Sequence, residues 1–198
     1  MIRMTTAVSL TLLLAMPAMA QVVVDYRDSG MLDMADTRQW SGIADTIGGD
    51  VEVLGEVRGA FTAAGADEVA YLVSDGAPIA ADPFPELNQR IVVFSGEEQV
   101  ADLAIPDGAF SRPIKAVDLD GDGLSEVLVE GSFYNMGTLA LGVSAIKLGE
   151  TAEVVQTLSD VYVDSCEAGV REASISVSAV SVSDWQLVAG EPETLECP

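Results

Sequence analysis

The sequence predicts a mainly β fold with one amphipathic helix at its front. Short runs of Val, Ile, Leu and Tyr, alternating with polar residues or continuous, recur from Val51 to Val182. Clusters of Gly, Pro, Asp and Asn separate these runs. Apolar residues at helical spacing occur only ahead of Gly48-Gly49. With 49% hydrophobic residues, the chain has the material for a packed core.

Residues 1–20 read as a signal peptide. Arg3 precedes an apolar run from Ala7 to Met16, too short for a stable membrane anchor, and Ala18-Met19-Ala20 supplies the small residues that signal peptidase reads. Cleavage is expected before Gln21, leaving residues 21–198 as a single β-rich domain without membrane insertion, in a periplasmic or secreted location.

The helix is expected over Met31–Ile47, with a break near Ser41-Gly42. Strands are expected at Val51–Val57, Glu68–Val73, Arg90–Ser95, Gln99–Ile105, Ile114–Asp118, Glu126–Gly131, Leu139–Leu148, Val154–Leu158 and Ala173–Val182. Ser95-Gly96-Glu97-Glu98 signals a hairpin, and Asp75–Leu87, with its prolines, a surface loop. The alternation through Ser174–Ser178 slips at Ala179-Val180, which predicts a bulge or a change of face, with the serines toward solvent. Trp40 and Trp185 are expected in the core; Phe133, Tyr134 and Met136 are either core or hairpin residues or an exposed partner patch.

Acidic residues number 32 against 9 basic ones, a net charge of −23 that repels nucleic acid and anionic lipid and attracts cations. The chain has no histidine, which removes the usual base of Ser and Cys nucleophiles and the commonest zinc ligand. Cys166 and Cys197 form an even pair in a chain bound for an oxidising compartment and are read as a disulfide.

Asp118-x-Asp120-x-Asp122-Gly123-x-x-Glu126 is the motif that carries chemistry. Carboxylates at alternate positions converge when the backbone curls round a cation, and Gly123 permits the turn. Asp118, Asp120, Asp122, the carbonyl of Leu124 and Glu126 form an all-oxygen ligand set that favours Ca²⁺ over zinc or copper. The plainer alternative is a turn of solvated acids. An EF-hand fails because its twelfth position, where a bidentate Glu belongs, is Val129, and Val127-Leu128-Val129 reads as a strand. A second, degenerate copy of the loop is visible earlier. Aligning Glu68 with Glu126 and Gly65 with Gly123 puts Ala60, Thr62 and Ala64 where the aspartates stand; chance similarity is the alternative.

The motif resembles the calcium loops of the FG-GAP repeat family and the related VCBS-type repeats, also seen in integrin α propellers. The resemblance covers one repeat, about 110–148, and a degenerate one, about 60–105. It implies a Ca²⁺ held by Asp118, Asp120, Asp122, the Leu124 carbonyl and Glu126. It also implies two or three propeller-blade-like antiparallel β units, since the chain is too short for a full propeller. Two features depart from the family: its loops often close with Asp where this chain has Glu126, and few blades fit.

On these grounds the expected function is that of an exported calcium-binding β-repeat module, not an enzyme, acting in protein or carbohydrate binding or in envelope structure. The alternative is a secreted hydrolase using paired carboxylates, for which Asp82, Glu86 and Asp107 are the loop acids available.

Overall fold

Period-two alternation of apolar side chains sorts this chain into three antiparallel sheets whose buried faces meet. The computed structural model describes residues 21–28, 41–48, 51–75, 88–106, 108–167, 169 and 172–198. Residues 1–20, the first part of the expected helix, Trp40, the loop acids Asp82 and Glu86, and Asp107 lie outside them. In chain order the elements begin with β1 (Gln21–Asp25), α1 (Ser41–Ile47), β2 (Val51–Gly59), β3 (Glu68–Asp75), β4 (Asn88–Ser95) and β5 (Glu98–Ala104). They continue with β6 (Phe110–Val117), β7 (Glu126–Asn135), β8 (Thr138–Leu148) and β9 (Ala152–Asp164). The chain closes with β10 (Ile175–Val177), β11 (Ala179–Ser183), β12 (Gln186–Ala189) and β13 (Glu193–Leu195).

Two four-stranded meanders dominate. One is the sheet β2-β3-β4-β5; the other, β6 to β9, forms most of a six-stranded sheet completed by β10 and β13. A three-stranded sheet, β1-β11-β12, covers the far side.

The six-stranded sheet lies between the other two, and the first half of β7 and the central stretch of β8 are buried on both faces. Along β7, Val127 and Val129 pack with Leu72, Ile91 and Val93 of the four-stranded sheet, while Leu128 joins Val24, Val180 and Leu187 of the three-stranded sheet. A continuous apolar run is the expected pattern for a strand covered on both sides. The outer face of the four-stranded sheet is covered in turn, where Ile43 and Ile47 of α1 pack against Val73, Val92 and Phe94.

β6 is an edge strand, so Pro113 costs no ladder hydrogen bond to a further neighbour. It runs alongside β2, and the approach is close: a Cβ on Gly55 would sit 2.8 Å from Pro113 Cδ.

Several boundaries differ from the expected ones. The segment expected as a single strand over Ala173–Val182 divides at Ser178, with β10 in the six-stranded sheet and β11 in the three-stranded one. Ser178 is buried rather than solvent-facing, because its N–H donates to Val161 O (2.8 Å) and its carbonyl accepts from Tyr26 N (3.2 Å). β9 runs well past Leu158, since a register shift opposite Gly142 and a left-handed Asp160 (φ 57°) absorb the irregularity there. β1, β12 and β13 are short strands that the pattern did not reveal.

A buried carboxylate ties β1 to the central sheet. Tyr26 Oη donates to Glu130 Oε2 (2.8 Å), which also accepts from Arg112 (2.9 Å). Burial, reinforced by the Glu130 charge, pushes the Tyr26 phenol well above its ordinary value. At the other end, Cys166 and Cys197 are joined as a disulfide across 31 residues, which fastens the last strand, β13, beside β10. Replacing both cysteines with serine is expected to lower unfolding free energy by about 3–4 kcal/mol through the lost loop constraint, measured by urea denaturation.

Candidate metal centre

The site grows out of a repeated strand–loop–strand unit. β2 leads through residues 60–67 into Glu68, the first residue of β3; β6 leads through residues 118–125 into Glu126, the first residue of β7. In each case the apolar strand draws its leading glutamate into the core, and Glu68 and Glu126 are 2% and 1% exposed. Each then turns back into its own loop. Phe61 N–H donates to Glu68 Oε2 and Leu119 N–H to Glu126 Oε2, both at 2.7 Å and both across seven residues. Phe61 and Leu119 are themselves buried, and Gly65 (φ 75°) and Gly123 (φ 87°) supply the left-handed turn in each loop. The loops lie side by side: Ser125 N–H donates to Ala60 O (2.6 Å).

They differ in how the buried charge is met. Glu68 also accepts the Thr62 N–H (2.9 Å) on Oε2 and the Thr62 hydroxyl on Oε1. Burial alone would raise its carboxyl, but the Thr62 and Phe61 donors outweigh that and hold it below the usual carboxylate range. Glu126 goes the other way. Burial raises it, the Leu119 N–H opposes only in part, and the charge of Asp120 adds to the rise.

The acidic loop is folded by its own carboxylates. Asp118 accepts the N–H groups of Gly121 (2.7 Å) and Gly123 (3.1 Å), Asp120 that of Asp122 (3.2 Å), and Asp122 that of Leu124 (2.8 Å). Asp118, Asp120 and Glu126 then each present one oxygen within 4.8 Å of the others, a cluster that can hold a metal ion. Asp122 lies outside that triad, and Leu124 enters the observed network through its N–H.

Lys147, near the end of β8, is the site residue that sequence reasoning missed. Pairing of Val127 with Ile146 places it next to Glu126 in the ladder. Its ammonium donates to Asp120 Oδ2 and to Asp122 Oδ2 (2.8 Å), and lies 3.8 Å from Glu126 Oε1. These pairs raise Lys147 and, through the Lys147 hydrogen bond, lower Asp122. The available signal was a single charged residue in an otherwise uncharged strand.

Trp185 is the second unexpected neighbour. It is 64% exposed rather than in the core, because the tight turn at Asp184 (φ 49°) and Trp185 (φ 65°) between β11 and β12 carries it outward. Its ring lies against Gly121, where a Cβ would sit 2.4 Å from the indole. With Leu119, Asp120, Glu126, Lys147 and Gln186 it lines a groove of about 400 Å³. Phe133, Tyr134 and Met136 are exposed at the β7–β8 hairpin, remote in sequence from this groove.

Comparison with protein-family models, with curated proteins and with solved structures found no match. Among the described residues no helix is long and apolar enough to cross a membrane.

The Glu68 donors set a sign for pH dependence. A carboxyl held below its unfolded value stabilises the fold above the ordinary glutamate range, and that stabilisation is lost as pH falls through the folded value. Glu68→Gln is expected to cost about 2 kcal/mol at neutral pH, since hydrogen bonds to a charged acceptor are lost. Urea unfolding across pH 3 to 7 should show a shallower acid limb in the variant, by roughly the same amount.

Proposed function

We propose that residues 118–126 bind Ca²⁺ and that the chain works as an exported, cation-stiffened β-repeat module, in the periplasm or secreted. Its role is binding a protein or carbohydrate partner or supporting envelope structure, without catalysis. The observation that carries the calcium reading is the contrast between the two buried glutamates. Glu68 is satisfied by protein donors, whereas Glu126 keeps an oxygen directed into a cluster of acids.

The residues present fit such an ion. The donors are all oxygen, which suits a hard cation, and a flexible loop suits Ca²⁺ better than the strict octahedron of Mg²⁺. Lys147 supports the reading as well, since its ammonium is a stand-in cation at the point where the carboxylates converge. Asp120, Glu126 and Asp118 would hold the ion, with Asp122 and the Leu124 carbonyl completing the set that the FG-GAP resemblance implies. Bound there, Ca²⁺ would neutralise the loop and fix its turn against β7. A neutral or basic partner suits a chain of net charge −23, and nucleic acid does not.

Calorimetric titration of the processed chain, residues 21–198, with Ca²⁺ is expected to show one site with a dissociation constant of about 10⁻⁴ to 10⁻³ M, typical of extracellular modules. A parallel rise in melting temperature is expected. Both responses should vanish in the Asp120→Ala, Asp122→Ala double variant. If the unsubstituted chain shows neither heat nor a melting shift up to about 10 mM Ca²⁺, the calcium reading is wrong.

A further inference from the structure

We infer that Lys147 is a tethered counter-cation that holds the acidic loop when divalent ions are scarce and must be displaced before one binds. The inference rests on the calcium reading and adds to it a residue that sets the affinity of the site.

The geometry leaves little room for both cations. The Lys147 ammonium hydrogen-bonds Asp120 Oδ2 and Asp122 Oδ2 and lies 3.8 Å from Glu126 Oε1. A divalent ion bound by Asp120 and Glu126 draws on carboxylates that the ammonium already engages and would meet a positive charge at short range. Two positive charges that close repel, most strongly on the side of the buried Glu126 and less on the side of the exposed aspartates. The lysine therefore either leaves or prevents binding.

It also has somewhere to go. Lys147 lines the groove that contains Trp185 and Gln186, and its side chain is part-exposed, so the ammonium can swing toward solvent and the indole without disturbing β8. A cation over an indole face keeps part of the electrostatic attraction it gives up. The backbone of β8 stays fixed, since Ile146 and Leu148, on either side, are buried.

A tethered ammonium acts as a competitor at constant effective concentration, so it weakens the site without abolishing it. If it occupies the carboxylates nine-tenths of the time, apparent divalent affinity falls about tenfold. The loop then stays folded in the absence of Ca²⁺ and responds only above a threshold concentration.

The test is a Ca²⁺ titration of the processed chain and its Lys147→Met variant at one ionic strength, with melts in chelator and in saturating Ca²⁺. The other lysine, Lys115→Met, controls for the equal change in net charge. The inference expects Lys147→Met to bind Ca²⁺ about tenfold more tightly and to melt lower in chelator, while Lys115→Met binds as the parent does. Equal affinity in parent and Lys147→Met, or the same gain in both variants, overturns it while leaving the calcium site intact. Binding by none of the three proteins overturns the calcium reading and this inference together. Should Lys147→Met fail to fold in chelator, Lys147→Gln, which keeps a polar end group, is titrated in its place against the same expectations.

Discussion

A hydrogen bond from a loop amide to a buried glutamate seven residues later is the constraint on which this architecture turns. Each of the two meanders begins with it, through Phe61 and Glu68 in one and Leu119 and Glu126 in the other. A buried carboxylate is costly unless donors or positive charge compensate it. The local donors of each loop therefore decide what else the structure must supply. In the first loop Thr62 completes the set. In the second the corresponding position is Asp120, an added negative charge, so compensation has to come from outside the loop.

That outside charge is positioned by the central sheet. Residues 126–130 of β7 and 141–146 of β8 are largely buried, with apolar contacts on both faces of the sheet, so their register is fixed by those contacts on each side. The Val127–Ile146 pairing then carries Lys147 to Glu126 as a consequence of core packing. The first loop braces the second from the other side, through the Ser125–Ala60 hydrogen bond and the contact of Gly123 with Ala64, where an added Cβ would lie 3.1 Å away. Trp185 closes the third side against Gly121. The acidic turn is thus held by three elements distant from it in sequence.

Much of the fold was legible because most of the long strands, β9 apart, write their burial into their residues. The alternation in β3 and the continuous run in β7 marked one strand of each meander, and Cys166 and Cys197 pair as their context suggested. The short strands were not legible. Gln186–Ala189 and Glu193–Leu195 hold too few residues for a pattern and gain their structure from the partner strands they complete. Ser178 and Trp185 went wrong for a related reason. A crossing between sheets satisfies the backbone of Ser178 inside the protein, and a left-handed turn exposes a side chain whose size suggested the core. At the site, the carboxylates were visible from their spacing, whereas Lys147 depends on strand register, which no local spacing encodes.

On the calcium reading proposed above, the charge pattern of the site would give a moderate affinity. Three carboxylates, Asp120, Asp122 and Glu126, face one ammonium, with Asp118 beside them in the cluster, and exchange of that ammonium for a divalent ion would improve the local balance by a single unit. Asp120 and Asp122 are substantially exposed, so water already screens much of their repulsion. The largest gain comes at Glu126, where burial magnifies each unit of charge. On that reading, the site would draw its binding energy from one buried oxygen more than from the number of acids around it. The surrounding aspartates chiefly shape the turn and bring that oxygen within reach of a cation.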